Sequence, residues 1–354
     1  MKFRGLFVVL ALLLLTAMIF GAKLKVAFVY VGPVGDAGWT YAHDMGRRHI
    51  EEVFGDLIET KYIESVPEGA ESERVIRSLA AQGYDVIFTT SFGYMDATLN
   101  VARQFPKTIF LHCSGYKTYK NMSAYFGRMY EPRYLSGLVA GAMTKSNKIG
   151  YVAAHPIPEV IRGINAFALG VKAVNPRAKV HVVWSNTWYD PATEKEAAIS
   201  LLNMGCDVIT QHQDSPAPQQ AAQEYGAYSI GYNSDMRVFA PKAYLTAPVW
   251  NWGVYYEEVI RDVFNGTWQS ENFWGGMDTG VVDLGPMTDL VPAEVQHLVN
   301  VVRQAIVEGK FHPFTGPIYD QKGNLRIPAG EVASDEMLLS IDWFVDNVVG
   351  TVPK

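Results

Sequence analysis

Short apolar runs alternate along the chain with segments of helical period. Val26–Val31 and Val86–Thr90 are continuous apolar stretches, the pattern of parallel strands buried on both faces. Val75, Leu79 and Ala80 then recur at helical spacing, as do Ala198, Leu201 and Leu202 further on. The unit reads strand, helix, strand, helix, strand. Gly83 and Gly205 fall where a helix hands over to a strand, a place that commonly takes left-handed backbone.

This unit occurs twice. Lys25–Val34 (KVAFVYVGPV) matches Lys148–Ile157 (KIGYVAAHPI), 123 residues on. Glu73–Ser91 matches Lys195–Gln213 at a spacing of 122, with Gly83 over Gly205, and Thr108–Ser114 resembles Tyr228–Ser234 at 120. Two such units predict an α/β fold of two open parallel sheets flanked by helices. Ligands bind such sheets outside the carboxyl ends of the strands, so two facing copies predict a cleft between lobes. After Trp250 the repeat stops. Val254–Phe264 and Ala293–Glu308 read as amphipathic helices on a chain that returns to the first lobe and then to the second, several crossings that act as a hinge. The expected division is a first lobe of 23–145 plus about 253–273, a second of 146–252 plus about 274–330, and a tail of 331–354.

One apolar run does not fit this alternation. Lys2 and Arg4 precede Leu6–Phe20, which ends in Gly21-Ala22, and this pattern predicts a secretory signal over residues 1–22. The run is short for a membrane span of about 20 residues, although left uncleaved it would serve as an anchor. The expected place of work is thus the periplasm or the outer face of the cytoplasmic membrane. Net charge is −6, with 30 Lys+Arg against 36 Asp+Glu, so no basic field favours nucleic acid. The two cysteines, Cys113 and Cys206, sit in apolar strand-like stretches and read as buried free thiols. No CxxC, HExxH or zinc-spaced cluster is present, and no metal or cofactor is implied.

Candidate chemistry lies in the loops after the strands. Gly32, Gly35 and Gly38 permit a tight turn into a helix, without the spacing of a dinucleotide or Walker loop. Asp36 reads as a cap for that helix or a polar ligand contact, the cap being the better single choice. Trp39 either packs under the loop or offers a flat face to a ring. After the second strand, Ser91 and the backbone near Gly93 suit hydrogen bonding to a ligand, with Phe92 or Tyr94 as its wall; Phe92 alone reads better as a core aromatic. In the second lobe, His212 with Asp214 reads as a hydrogen-bonding loop. Trp188 and Tyr189 are adjacent aromatics, one facing in. Asn233 and Asp235 offer an amide and a carboxylate suited to the edge of a polar heterocycle. Trp250 and Trp252 crowd Asn251 in a hinge, core or ligand role. There is no GxSxG elbow and no readable carboxylate pair. A cleft rich in aromatics and amides but poor in nucleophiles predicts recognition of a flat polar ring.

These residues resemble the basic membrane protein family of solute-binding proteins, which includes purine nucleoside receptors serving ABC importers. The resemblance runs from Lys23 to Pro317. It rests on Gly35-Asp-Ala-Gly-Trp, Thr90-Ser-Phe-Gly-Tyr, the segment Phe126–Gly137 (FGRMYEPRYLSG), Gly163–Pro176, Trp188-Tyr-Asp-Pro-Ala and Asn233-Ser-Asp. It implies a two-lobed type I periplasmic binding fold, a purine or nucleoside held between aromatic rings, and delivery to a membrane permease by a monomer. By motif position it puts the first-lobe stacking ring on Trp39 beside Thr40, the loop acid on Asp36, the second-lobe ring on Trp188 and the turn carboxylate on Asp235. Three departures stand out. No cysteine is available for N-terminal lipidation. Thr246-Ala-Pro-Val-Trp-Asn stands where nucleoside receptors carry a sugar-contacting lysine, and Asp214-Ser215 where a Gly-Gly pair is common. Loss of the lysine and gain of Trp250 favour a free base such as adenine over a nucleoside. Three other readings remain at this point: a secreted nucleoside hydrolase using Asp36 and Asp235, a sensory or regulatory ligand-binding module, and a sugar cargo on the same fold.

Overall fold

The apolar runs become parallel strands in the computed structural model, which describes residues 23–353. The expected signal of residues 1–22 lies outside the described residues. The first lobe is built from β1 (Leu24–Val29), α1 (Trp39–Phe54), β2 (Ile58–Ile63), α2 (Ala70–Ala81), β3 (Val86–Thr89), α3 (Met95–Ala102), β4 (Ile109–Cys113) and β5 (Met122–Gly127). The second repeats it. Its elements are α4 (Tyr130–Met143), β6 (Lys148–Ala153), α5 (Pro158–Val174), β7 (Lys179–Trp184), α6 (Pro191–Asn203), β8 (Val208–Gln211), α7 (Ala217–Glu224), β9 (Tyr228–Ile230) and β10 (Tyr244–Thr246).

The two sheets share one strand order, β5-β4-β3-β1-β2 against β10-β9-β8-β6-β7, with parallel pairing throughout. β3 and β8 are central and buried along their whole length, which is why neither alternates apolar with polar positions. Gly83 and Gly205 both take left-handed backbone, at φ 78° and 87°, where helix gives way to strand. Cys113 and Cys206 are buried free thiols.

Past β11 (Pro248–Trp250) the chain crosses back. α8 (Trp252–Asn265) packs on α1, where Gly46 lets Tyr256 approach so closely that an added Cβ would lie 2.8 Å from its ring. β12 (Asn272–Gly275) then joins the first sheet beside β5. The chain leaves again into β13 (Val282–Leu284), antiparallel to β11, and α9 (Ala293–Val307), which packs on α4. Three crossings thus link the lobes, after β5, before α8 and after β12.

The packing differs from the expected division at two places. α4 packs against α5 rather than on the first sheet, so the first crossing comes near residue 128, not 145. This helix pair is close because Gly137 and Gly170 face each other's backbone, with an added Cβ only 2.1 Å from the opposite carbonyl oxygen. The segment after 330 is more than a tail. Following the hairpin β14 (Ile318–Tyr319) and β15 (Leu325–Ile327), it forms α10 (Asp335–Leu339) and adds β16 (Val348–Val349) to the second sheet beside β7. No helix among the described residues is long and apolar enough to cross a membrane.

Candidate ligand-binding cleft

Ten side chains, all from loops or helix starts at the carboxyl ends of strands, line one compartment between the lobes. Val31, Trp39, Ser91, Phe92 and Ser114 come from the first lobe; Glu159, Trp188, His212, Asp214 and Tyr232 come from the second. Together they bound about 430 Å3 of space, part of it open to solvent.

The first-lobe wall is set by the glycine loop. The Asp36 carboxylate accepts the backbone N–H groups of Gly38 (2.8 Å), Tyr41 (2.9 Å) and Thr40 (3.0 Å). It caps the start of α1, the bland reading of that residue. The Thr40 hydroxyl accepts the N–H of Gly32 at 3.2 Å and closes the turn. Burial pushes the Asp36 carboxyl up to about 6 despite its three donors. The loop so held delivers Trp39, whose indole N–H donates to the Thr90 carbonyl at 2.6 Å and whose ring meets Trp250 and Trp252 nearly at right angles, at 5.6 and 5.8 Å.

In the second lobe Asp190 caps α6 through the N–H groups of Ala192 and Thr193, both at 3.1 Å, and fixes the loop that carries Trp188. Trp188 lies edge-on to His155, centroids 4.7 Å apart. His212 leans on Tyr232 at 4.5 Å, and its Nε2 lies 3.5 Å from a Glu159 oxygen. Burial holds the His212 imidazole down at about 4, so it is neutral at pH 7 and its contact with Glu159 is not an ion pair. Behind Tyr232 stands the buried Arg133, its guanidinium 3.8 Å from the ring centroid.

Asp214 joins the two walls. One of its oxygens accepts the Asn233 amide N–H at 2.8 Å, and the Asn233 carbonyl accepts the Trp250 indole N–H at 2.9 Å. Burial, then the nearby Asp36 and Glu194 carboxylates, push Asp214 well above the usual carboxylate range. Gly38 of the first lobe presses on the same residue: a Cβ there would lie 2.1 Å from the Asp214 carbonyl oxygen. Beside it the Ser234 hydroxyl donates to the Ala37 carbonyl at 2.5 Å.

Of the residues singled out from the sequence, Trp39, Ser91, Phe92, Trp188 and Asp214 line the compartment together. Asp36, Thr40 and Asn233 stand one step behind, holding the loops. Four readings need correction. Tyr94, not Phe92, is the core aromatic: Tyr94 is fully buried with its hydroxyl on the Val66 carbonyl at 2.5 Å, whereas Phe92 is 45% exposed. Trp250 spends its N–H on Asn233 and stacks on Trp252 at 4.5 Å, so it buttresses Trp39 without lining the compartment. Asp235 is exposed outside the lining and pairs with Arg237 at 2.7 Å. His212 read as loop chemistry alone, yet it is part of the wall. Glu159 and Tyr232 were not singled out; the strand-end position of each was their signal. Among the described residues no three His, Cys, Asp or Glu side chains cluster as metal ligands.

Known proteins resolve what this cleft belongs to. A family model described as ABC transporter substrate-binding protein, PnrA-like, matches residues 23–312. The chain belongs to the Bmp family. Over 332 residues it is 47% identical to a purine-binding protein of Brucella abortus, covering 94% of this chain and 95% of that one. It is 43% identical to a Haloferax volcanii protein provisionally assigned as an ABC transporter glucose-binding protein, covering 94% of this chain and 82% of that one. Solved solute-binding proteins share the fold. One from Conexibacter woesei has a TM-score of 0.69 at 22% identity, over 82% of this chain and 98% of that one. One from Aeropyrum pernix has a TM-score of 0.72 at 19% identity, over 82% and 93%. As a Bmp-family protein the chain is an extracytoplasmic substrate-binding component that works with a membrane permease. The type I periplasmic binding fold expected from the resemblance is the fold observed.

Proposed function

We propose that the cleft holds a purine base, adenine or a close relative, between the indoles of Trp39 and Trp188 and releases it unaltered to an ABC permease. The observation that carries this reading is the delivery of one tryptophan from each lobe to a single compartment that also contains Asp214. Indole faces suit a planar ring, with stacking worth about 1–3 kcal/mol per base. Asp214 and the Asn233 amide behind it suit the donor and acceptor edge of such a ring. The Brucella relative's name supports the same ligand class.

A holding role also fits the acids. Asp36 is occupied by three backbone donors and Asp235 lies outside the compartment, so the pair a nucleoside hydrolase would need is not assembled. The chain works as a monomer, with residues 1–22 as its export signal or anchor. A sugar is the second reading, favoured by the Haloferax relative and by the stacking of pyranose faces on aromatic rings. Mass spectrometry of the small molecule that co-purifies with the protein separates them: a purine supports the reading, and a hexose replaces it.

A further inference from the structure

The segment 331–353 is anchored firmly to the second lobe. Lys172 of α5 pairs with Asp346 at 2.7 Å, Asn165 bonds the Trp343 carbonyl and the Val345 N–H at 2.8 and 3.0 Å, and Asn347 donates to the Ala168 carbonyl at 2.7 Å. From this anchorage α10 reaches toward the first sheet. There the Arg128 guanidinium grips Asp335 with two parallel bonds of 2.7 Å. Arg128 itself is fixed to the first sheet, its backbone N–H on Gly275 at 2.6 Å and its side chain on the Trp274 carbonyl at 3.1 Å. Arg162 of α5 completes the junction from the other lobe. It donates to the Leu338 carbonyl at 2.7 Å and stands 5.1 Å from the Trp274 ring centroid, while Arg128 stands 4.2 Å from the same ring. Asp335 and Leu339 also wall a second chamber, which shares Phe92, Ser114 and Glu159 with the wall of the inner compartment.

We propose that this C-terminal segment is a further non-covalent tie between the lobes, beside the three covalent crossings and the Ser234–Ala37 bond, and that Arg128 and Asp335 are the positioning residues through which it biases the cleft toward the closed arrangement. The family model ends at residue 312, so the Asp335 side of the tie lies beyond the matched region while Arg128 lies within it. A bidentate guanidinium–carboxylate pair has directional grip that a lysine contact lacks. It is also partly exposed, with side-chain accessibilities of 24% and 55%, and so remains weak enough to break and reform and open to screening by salt.

The test reads the lobes without a ligand and therefore stands apart from the purine reading. Spin labels on Lys61→Cys in β2 and Glu196→Cys on α6, both exposed, report the distance between lobes, and the buried Cys113 and Cys206 leave the labelling specific. Asp335→Asn should shift the distance distribution to longer values and broaden it. Asp335→Arg should do so more strongly, and combining it with Arg128→Asp should restore the original distribution. Raising salt should move the wild type toward the Asp335→Asn result and leave that variant unmoved. Identical distributions for the wild type and Asp335→Asn, or a charge swap that fails to restore a folded protein's distances, would overturn the tie.

Discussion

Trp39 and Trp188 are held to different degrees, and their substitutions should differ accordingly. Trp39 is locked by its bond to Thr90 and by two neighbouring indoles, whereas among the aromatic rings of the described residues Trp188 meets only His155 and His212. Trp188→Ala should cost about 1–3 kcal/mol of ligand affinity with little loss of thermal stability, measured by calorimetry and by melting. Trp39→Ala should cost both. Tyr94→Phe should leave affinity intact and remove about 1 kcal/mol of stability with the Val66 bond. The Asp36 carboxyl, raised to about 6 by burial, gives a signed pH dependence. Its protonated form is the one the fold favours. Its contribution to stability is therefore fully present below the unfolded carboxyl value near 4 and is lost as pH rises through about 6. Melting curves at pH 5 and 7.5 should show this trend in the wild type and a flatter one in Asp36→Asn. At this scale the sequence was only half legible. Phe92 and Tyr94 are two residues apart in one short turn, and nothing local says which faces the core. Trp250 looked like a ligand ring because its partner, Asn233, lies in the loop after β9, 17 residues back in the chain.

At the scale of elements the sequence was far more readable. Continuous apolar runs, helical spacing and paired glycines placed both halves of the repeat, since each signal arises within one element. The α4–α5 contact was not readable: Gly137 and Gly170 permit close approach but do not name their partner. Gly137→Ala would drive a methyl group into the Phe167 carbonyl and should destabilise the protein by about 1–3 kcal/mol in denaturant unfolding. The edge strand β16 was equally hidden, because two residues carry no periodicity and pair with a strand far back in the chain. Gly38 matters differently. Its substitution by Ala should hold the lobes apart at Asp214 and weaken binding more than folding, seen as lost affinity at a nearly unchanged melting temperature.

For the whole molecule, two similar lobes joined by three crossings make a hinge, and a ring gripped by both lobes shifts the open–closed equilibrium by its differential affinity alone. Ligand that binds only the folded chain raises its melting temperature with concentration, by about 2.7 kcal/mol of stability at a hundredfold excess over Kd. Isothermal titration of the wild type with adenine and, separately, with glucose puts the central claim at risk most directly. One adenine should bind per chain and be recovered chemically unaltered, while glucose gives no heat. Saturable heat from glucose with none from adenine would mean that the tryptophan-lined compartment is built for a different guest.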